Sequence, residues 1–245
     1  MMISVPYNTA EARVWQFVSS HKLFLRRALD RSIQQRACDR PLTEQTLTDG
    51  VILILLERRI RLHIQYVNQS AKGENVILQT EQCENNIDAE EIWHITLEKE
   101  MSPEKQAAAL KKIVISEEMH RLRERINEII PCAAERIFQA AANLYGISRK
   151  TLCHGSAAFP NTRFVCCPKA ITLRDMKSRW ESCSVSKGKL NFNSRLIFTT
   201  VDCLEYVIFH ELCHFFHPNH GKAYYALLQA ALPDAVQRRR KLNGK

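Results

Sequence analysis

Glycine and proline are scarce in this 245-residue chain, at 7 and 8 copies, which excludes collagen-like and low-complexity classes. No apolar run approaches the ~20 residues needed to cross a bilayer. The longest aliphatic stretch is Val51–Leu56, so no membrane partner is expected. Met1–Glu11 lack a basic segment followed by an apolar one, and no secretory leader is expected. Nine cysteines, an odd count without a leader, do not suit a disulfide framework. They point to reduced thiols and a cytoplasmic location. What remains is ordinary: 45% hydrophobic and 25% charged residues describe a globular chain and rule out disorder as the main state.

Charge is unevenly spread. From Ser148 onward there are 16 Lys+Arg against 6 Asp+Glu, whereas the first 147 residues carry 19 against 20. The positive field belongs to the C-terminal part, where it would attract nucleic acid, an anionic surface or acidic substrates. No nucleic-acid-binding motif accompanies it, and the basic run Arg238–Lys241 is expected to be solvated.

Residues 1–100 are expected to form an N-terminal helix and a small β-rich accessory unit. Val14, Val18, Leu25 and Leu29 mark an amphipathic helix from Asn8 to about Cys38. In Arg59–Tyr66 the apolar Ile60, Leu62, Ile64 and Tyr66 alternate with polar residues, a half-buried strand paired with Val51–Leu56 across Glu57–Arg58. Asn75–Thr80 and Glu91–Leu97 give two more strands.

Residues 101–245 read as a second domain. Ser102–Pro103–Glu104 starts a helix, and Ile115, Met119, Leu122, Ile126 and Ile129 give it a buried stripe ending at Pro131. A second helix runs from Cys132 to Tyr145 and stops at Gly146. Strands follow at Ala170–Asp175, Arg179–Val185 and Leu190–Thr199, then helices at Asp202 to about Phe216 and Gly221 to Leu232.

His210–Glu211–Leu212–Cys213–His214 carries the chemistry. Asp202 and Glu205 suggest a capping box for its helix. Two imidazoles four residues apart leave a helix on one side and grip one zinc ion. Glu211, rotated by about 100° from His210, reaches past the metal to its water. There it serves as general base while zinc lowers the pKa of that water to about 7. By chance such a pentad arises in roughly two or three of a hundred chains of this composition. A catalytic site needs a third protein ligand, drawn from His217, His220 or Asp234, because no glutamate follows Glu211. His217 would stand about 10 Å along a continued helix from His210. Pro218 and Asn219 turn the chain, which favours His220 folding back.

The segment from Ile171 to Asp234 resembles the YgjP-like metallopeptidase family, neighbours of the SprT-like and WLM zinc peptidases. The family pattern runs Ser-Arg-Trp-Gly-Ser-Cys-Ser, a Lys-Gly turn, an asparagine-bearing strand ending Arg-Leu-Ile, then the two-histidine helix and Asn-His. Ser178, Arg179, Trp180, Ser182, Cys183, Ser184, Lys187, Gly188, Asn193, Arg195, Leu196, Ile197, Tyr206 and Val207 match it. The start of the chain, from Val5–Pro6 to Phe24, and the hairpin at Val51–Tyr66 are also similar.

The resemblance implies an α+β, zincin-like fold: a long backing helix, a small twisted sheet and the metal-binding helix, preceded by the β-rich unit. It implies one zinc per chain on His210, His214 and His220, Glu211 as catalytic base, and a peptide or protein substrate. Trp180 and Ser182 are candidate substrate-binding residues on the hairpin bordering the cleft. Two departures stand out. Glu181 replaces the family glycine, and Cys153, His154, Cys166 and Cys167 occupy an insertion whose spacing fits no common zinc pattern. Other readings are a nucleic-acid-associated protease of the SprT/WLM type and a non-catalytic metal-stabilised binding module. An intact Glu211 speaks against the last, since a structural site needs no base.

Overall fold

The computed structural model describes residues 10–20, 47–68, 76–82 and 90–244. Helix α1 (Glu11–Ser20) covers the described part of the expected N-terminal helix; residues 21–46 lie outside the described ones. Strands β1 (Ile52–Leu55), β2 (Arg58–Val67), β3 (Val76–Gln82) and β4 (Glu90–Glu98) form one sheet in the order β1-β2-β4-β3. β1 and β3 run antiparallel to their neighbours, and β2 runs parallel to β4. Alternation decides which face is buried: Ile60, Leu62 and Ile64 on β2 and Trp93, Ile95 and Leu97 on β4 are enclosed, while Tyr66 is exposed.

The sheet packs on α2 (Pro103–Tyr145), 43 residues and about 64 Å long. Two helices separated at Pro131 were expected; one continuous helix is observed. Pro131 and the carbonyl-bearing Asn127 both lie on the exposed face, where water can satisfy the group that proline leaves unbonded. Ile129, Ile130, Ala133, Ala134 and Ile137 are buried on the other face and carry the helix through. Gly146, at φ 65°, ends it in the left-handed conformation.

The buried stripe also differs from expectation. Ile115 and Met119 are only half-buried, and Val114, Glu118 and Leu122 fill the core face. Glu118 is fully enclosed because Arg58 on β2 meets it at 2.6 Å. Arg58 also binds Glu91 at 2.8 Å, and Arg121 binds Glu91 and Glu117 at 2.7 Å each. This ionic layer joins sheet to helix inside one hydrophobic cluster that continues into the C-terminal helices.

After α2 come two short helices, α3 (Arg149–His154) and α4 (Arg163–Cys166), then a second sheet ordered β5-β7-β6. Its strands are β5 (Ala170–Arg174), β6 (Glu181–Ser184) and β7 (Lys189–Asn193). Gly188 makes the β6–β7 turn, where a Cβ would lie 2.8 Å from the Phe164 ring. The last strand stops at Asn193 rather than running to Thr199. Buried Asn193 donates to the carbonyls of Met176 and Arg179, accepts from the Arg195 N–H and starts a 3-10 turn at Ser194–Phe198.

Helix α5 (Val201–Cys213) follows, then α6 (Lys222–Ala231) and α7 (Ala235–Leu242). The expected capping box is not formed, because α7 takes its acids. Lys241 binds Asp202 at 2.9 Å, and Arg238 pairs with Glu205 and Asp234. The basic run is helical: Arg238 and Lys241 clamp it on α5, while Arg239 and Arg240 face solvent as expected. Glu57, in the β1–β2 turn, accepts the Val201 N–H at 3.1 Å and occupies the helix N-terminus instead. All seven cysteines among the described residues are free. No helix among them is long and apolar enough to cross a membrane.

Replacing Arg58 by methionine removes the ion-pair partner of fully buried Glu118, while Glu91 keeps Arg121. A loss of about 3 kcal/mol in urea unfolding is expected, at the low end for a broken buried pair since Arg58 is one-third exposed. A change below about 0.5 kcal/mol would show that the layer contributes no net stability.

Candidate metal centre

Nearly every side of α5 is enclosed, so its position is set by core packing rather than by helix propensity. Leu204, Val207, Ile208 and Leu212 are buried, as are Cys203 and Cys213. His210 and Glu211 lie in its last turn and His214 caps it. The chain then turns through Pro218 and Asn219, and the Gly221 N–H donates to the Asn219 carbonyl at 2.8 Å. That turn returns His220 to the helix end.

Three imidazoles converge there. His210 Nε2 and His220 Nε2 are 3.0 Å apart, and the ring centroids of His214 and His220 are 4.7 Å apart. One ligand atom from each of the three lies within 4.8 Å of the others. Their remaining nitrogens are oriented from behind. His214 Nδ1 lies 3.1 Å from the His217 carbonyl, which takes its proton and leaves Nε2 free to ligate. His210 Nδ1 faces the Tyr206 hydroxyl at 3.4 Å. Tyr224 is fully buried, its ring against all three histidines and its hydroxyl donating to the His210 carbonyl at 3.0 Å. Tyr225 is partly exposed and stacks on His220.

The other candidates for a third ligand are engaged elsewhere. His217 bonds the Tyr145 hydroxyl at 2.7 Å and packs edge-on to Phe159. Asp234 pairs with Arg238.

Glu211 is 2% exposed, and its Oε2 has no hydrogen-bond partner among the described residues. Burial raises its pKa well above the ordinary value, with the Glu181 carboxylate adding to the effect. Burial pushes His210 the other way, down to about 3, helped by His214, His220 and Arg239. His214 and His220 are lowered too, chiefly by desolvation. Neutral imidazoles are the ligating form, so the surroundings hold the trio ready for a cation at neutral pH. A buried carboxylate oxygen without a partner costs about 1–3 kcal/mol or more.

A scan against protein-family models matches residues 99–245 to the YgjP-like, metallopeptidase domain. The chain belongs to the YgjP-like metallopeptidase family. The searches of curated proteins and of solved structures gave no match. A YgjP-like metallopeptidase domain points to a hydrolase that uses a divalent metal ion, and among the described residues two overlapping groups have the spacing to hold one, His210–His214–His220 and Glu181–His210–Glu211.

The hairpin residues fall on two faces. Ser182 turns its hydroxyl to Asn191 Nδ2 at 3.1 Å, on the opposite side of β6 from Glu181. Trp180 packs partly buried against the core with Arg195 over its ring. The residue of this strand that enters the centre is Glu181, its Oε1 3.9 Å from His210 Nε2. Sequence reasoning registered Glu181 only as a lost glycine; an acid among residues that otherwise match the pattern was the available signal. Cys153, His154, Cys166 and Cys167 form no group with metal-binding spacing among the described residues.

In the metal-free protein, His210 is protonated near pH 3 when folded and near 6.5 when unfolded. Between those values the unfolded state binds more protons, so the stability His210 contributes is lost as pH falls through that window. Glu181, raised to about 7, acts in the opposite sense between 4.5 and 7. Urea unfolding across this range is expected to show wild type losing more stability on acidification than His210→Gln. Parallel pH profiles would contradict a neutral, desolvated His210.

Proposed function

We propose that this chain is a zinc-dependent metallopeptidase of zincin type, with His210, His214 and His220 as metal ligands and Glu211 as general base. The observation that carries the reading is the partnerless buried carboxylate of Glu211 beside three neutral imidazoles. A structural metal site closes its coordination with protein atoms and has no use for a desolvated base. The spacing supports zinc: bonds of about 2.0–2.1 Å in tetrahedral geometry separate neighbouring nitrogens by about 3.3 Å, close to the 3.0 Å between His210 and His220. Nitrogen ligands on a rigid helix suit zinc better than the oxygen-seeking calcium or magnesium.

A bound zinc ion would supply Lewis acidity, polarising the scissile carbonyl and making water acidic enough to give up a proton near neutrality. Glu211 takes that proton as the water oxygen attacks the carbonyl carbon. It then delivers the proton to the amide nitrogen as the C–N bond breaks. Burial raises its proton affinity in the metal-free protein, and a cation bound beside it would lower that affinity again, leaving a carboxylate able to take and return a proton. His217 fixes the tautomer of His214 through its carbonyl, and Tyr224 holds the helix end through the His210 carbonyl.

Substrate alignment falls to the second sheet. Among the described residues β6 is an edge strand with one side unpaired, and it packs against α5. An extended peptide that adds to such an edge gains main-chain hydrogen bonds while its carbonyl is held at the metal.

Elemental analysis is expected to give about one zinc per chain for wild type, with the metal lost or much weakened in His210→Ala and His214→Ala. Glu211→Gln should keep the zinc yet lose hydrolysis of a casein or peptide-library substrate by at least about 100-fold. Retained hydrolysis in Glu211→Gln would remove the general-base assignment. A wild type that takes up no zinc would remove the enzyme reading.

A further inference from the structure

A second set of ligand atoms shares His210. Glu181, His210 and Glu211 each offer one atom within 4.8 Å of the others, with Glu181 Oε1 at 3.9 Å and Glu211 Oε1 at 4.0 Å from His210 Nε2. One imidazole nitrogen binds one ion, so this is not a separate site. It is the same centre approached by carboxylates from the strand side. Glu211 arrives on α5, while Glu181 arrives on β6, thirty residues earlier.

Glu181 has no other evident task. Its Oε2 is buried without a hydrogen-bond partner among the described residues, and the nearest group to Oε1 in an ion-pair geometry is His210. Among those residues Arg239 acts on it through space from the exposed face of α7. Register fixes the direction. Glu181 stands opposite Phe192 and Ser182 opposite Asn191, so alternation turns Glu181 and Cys183 toward α5 and Ser182 away.

We propose that Glu181 is a fourth protein ligand of the metal centre, its carboxylate closing the coordination position that the three histidines leave open. The proposal rests on the metallopeptidase reading above and deepens it. The glycine of the family pattern has no side chain to offer a metal, so the substitution changes what the edge strand does. In the resting protein β6 would be tethered to the centre through Glu181. Pairing of a substrate strand along β6 would then displace the carboxylate and admit the carbonyl and the water. A tethered edge makes the centre hold its metal more tightly and admits substrate only at the cost of one metal–oxygen bond.

Glu181→Gly and Glu181→Gln test this without any assay of turnover. Zinc affinity is measured by competition with a chromophoric chelator, and cobalt(II) is substituted to record the visible absorption bands, which respond to ligand number and type. Both variants are expected to bind zinc at least about tenfold more weakly than wild type. Their cobalt spectra should differ from that of wild type, and added acetate should shift the Glu181→Gly spectrum back toward it. Circular dichroism and urea unfolding of the metal-free proteins establish that the variants are folded. Affinities equal within about twofold and superimposable cobalt spectra would overturn the fourth ligand while leaving the three-histidine site standing. A wild type that binds neither metal would overturn both.

Discussion

Burying a carboxylate oxygen with nothing to bond is among the most unfavourable arrangements a folded chain can contain, and Glu211 contains one. His210 and His214 are desolvated, His220 lies nearer the surface, and all three are pushed below the ordinary histidine range, so at neutral pH none supplies the missing positive charge by protonation. A divalent cation answers both needs at once, taking the lone pairs of the imidazoles and the field of the acid. The centre is therefore poorly satisfied as protein alone.

The rest of the architecture keeps that arrangement from relaxing. Helix α5 is enclosed by α2, α6, α7 and β6, so His210, Glu211 and His214 cannot swing toward water without disturbing the core. The start of α5 is pinned by groups distant in sequence. At the start, Glu57 from the first hairpin bonds Val201, and Leu56, one residue earlier, donates its N–H to the Ile197 carbonyl at 2.7 Å. Those two turn residues hold positive φ without being glycine, a conformation kept only because the surroundings over-determine it. Arg238 and Lys241 fix the same end from the C-terminal side. The N-terminal sheet is thus coupled to α5 by specific bonds as well as by shared core.

Local chemistry was legible in the sequence and distant chemistry was not. Two histidines four apart share a helix face wherever that helix lies, and Pro218–Asn219 signals the turn that returns His220. Strand alternation in β2 was equally plain. Pro131 misled because exposure of the unbonded carbonyl and burial of Ile129, Ile130 and Ile137 outweigh its local preference. The Asp202–Glu205 capping box misled because the acids found cations on α7, more than thirty residues away. Glu118 hid within an apolar stripe since its partner, Arg58, sits sixty residues earlier. Glu181 belongs to the same class: its role depends on a strand register and a helix position that no linear spacing encodes.

Anomalous scattering at the zinc edge, from crystals of the zinc-loaded protein, locates the ion directly. One peak is expected about 2.0–2.1 Å from the Nε2 atoms of His210, His214 and His220, with the Glu211 carboxylate beside it but not bound. A peak elsewhere, or one ligated by Glu211 in place of a histidine, would contradict the assignment of the centre.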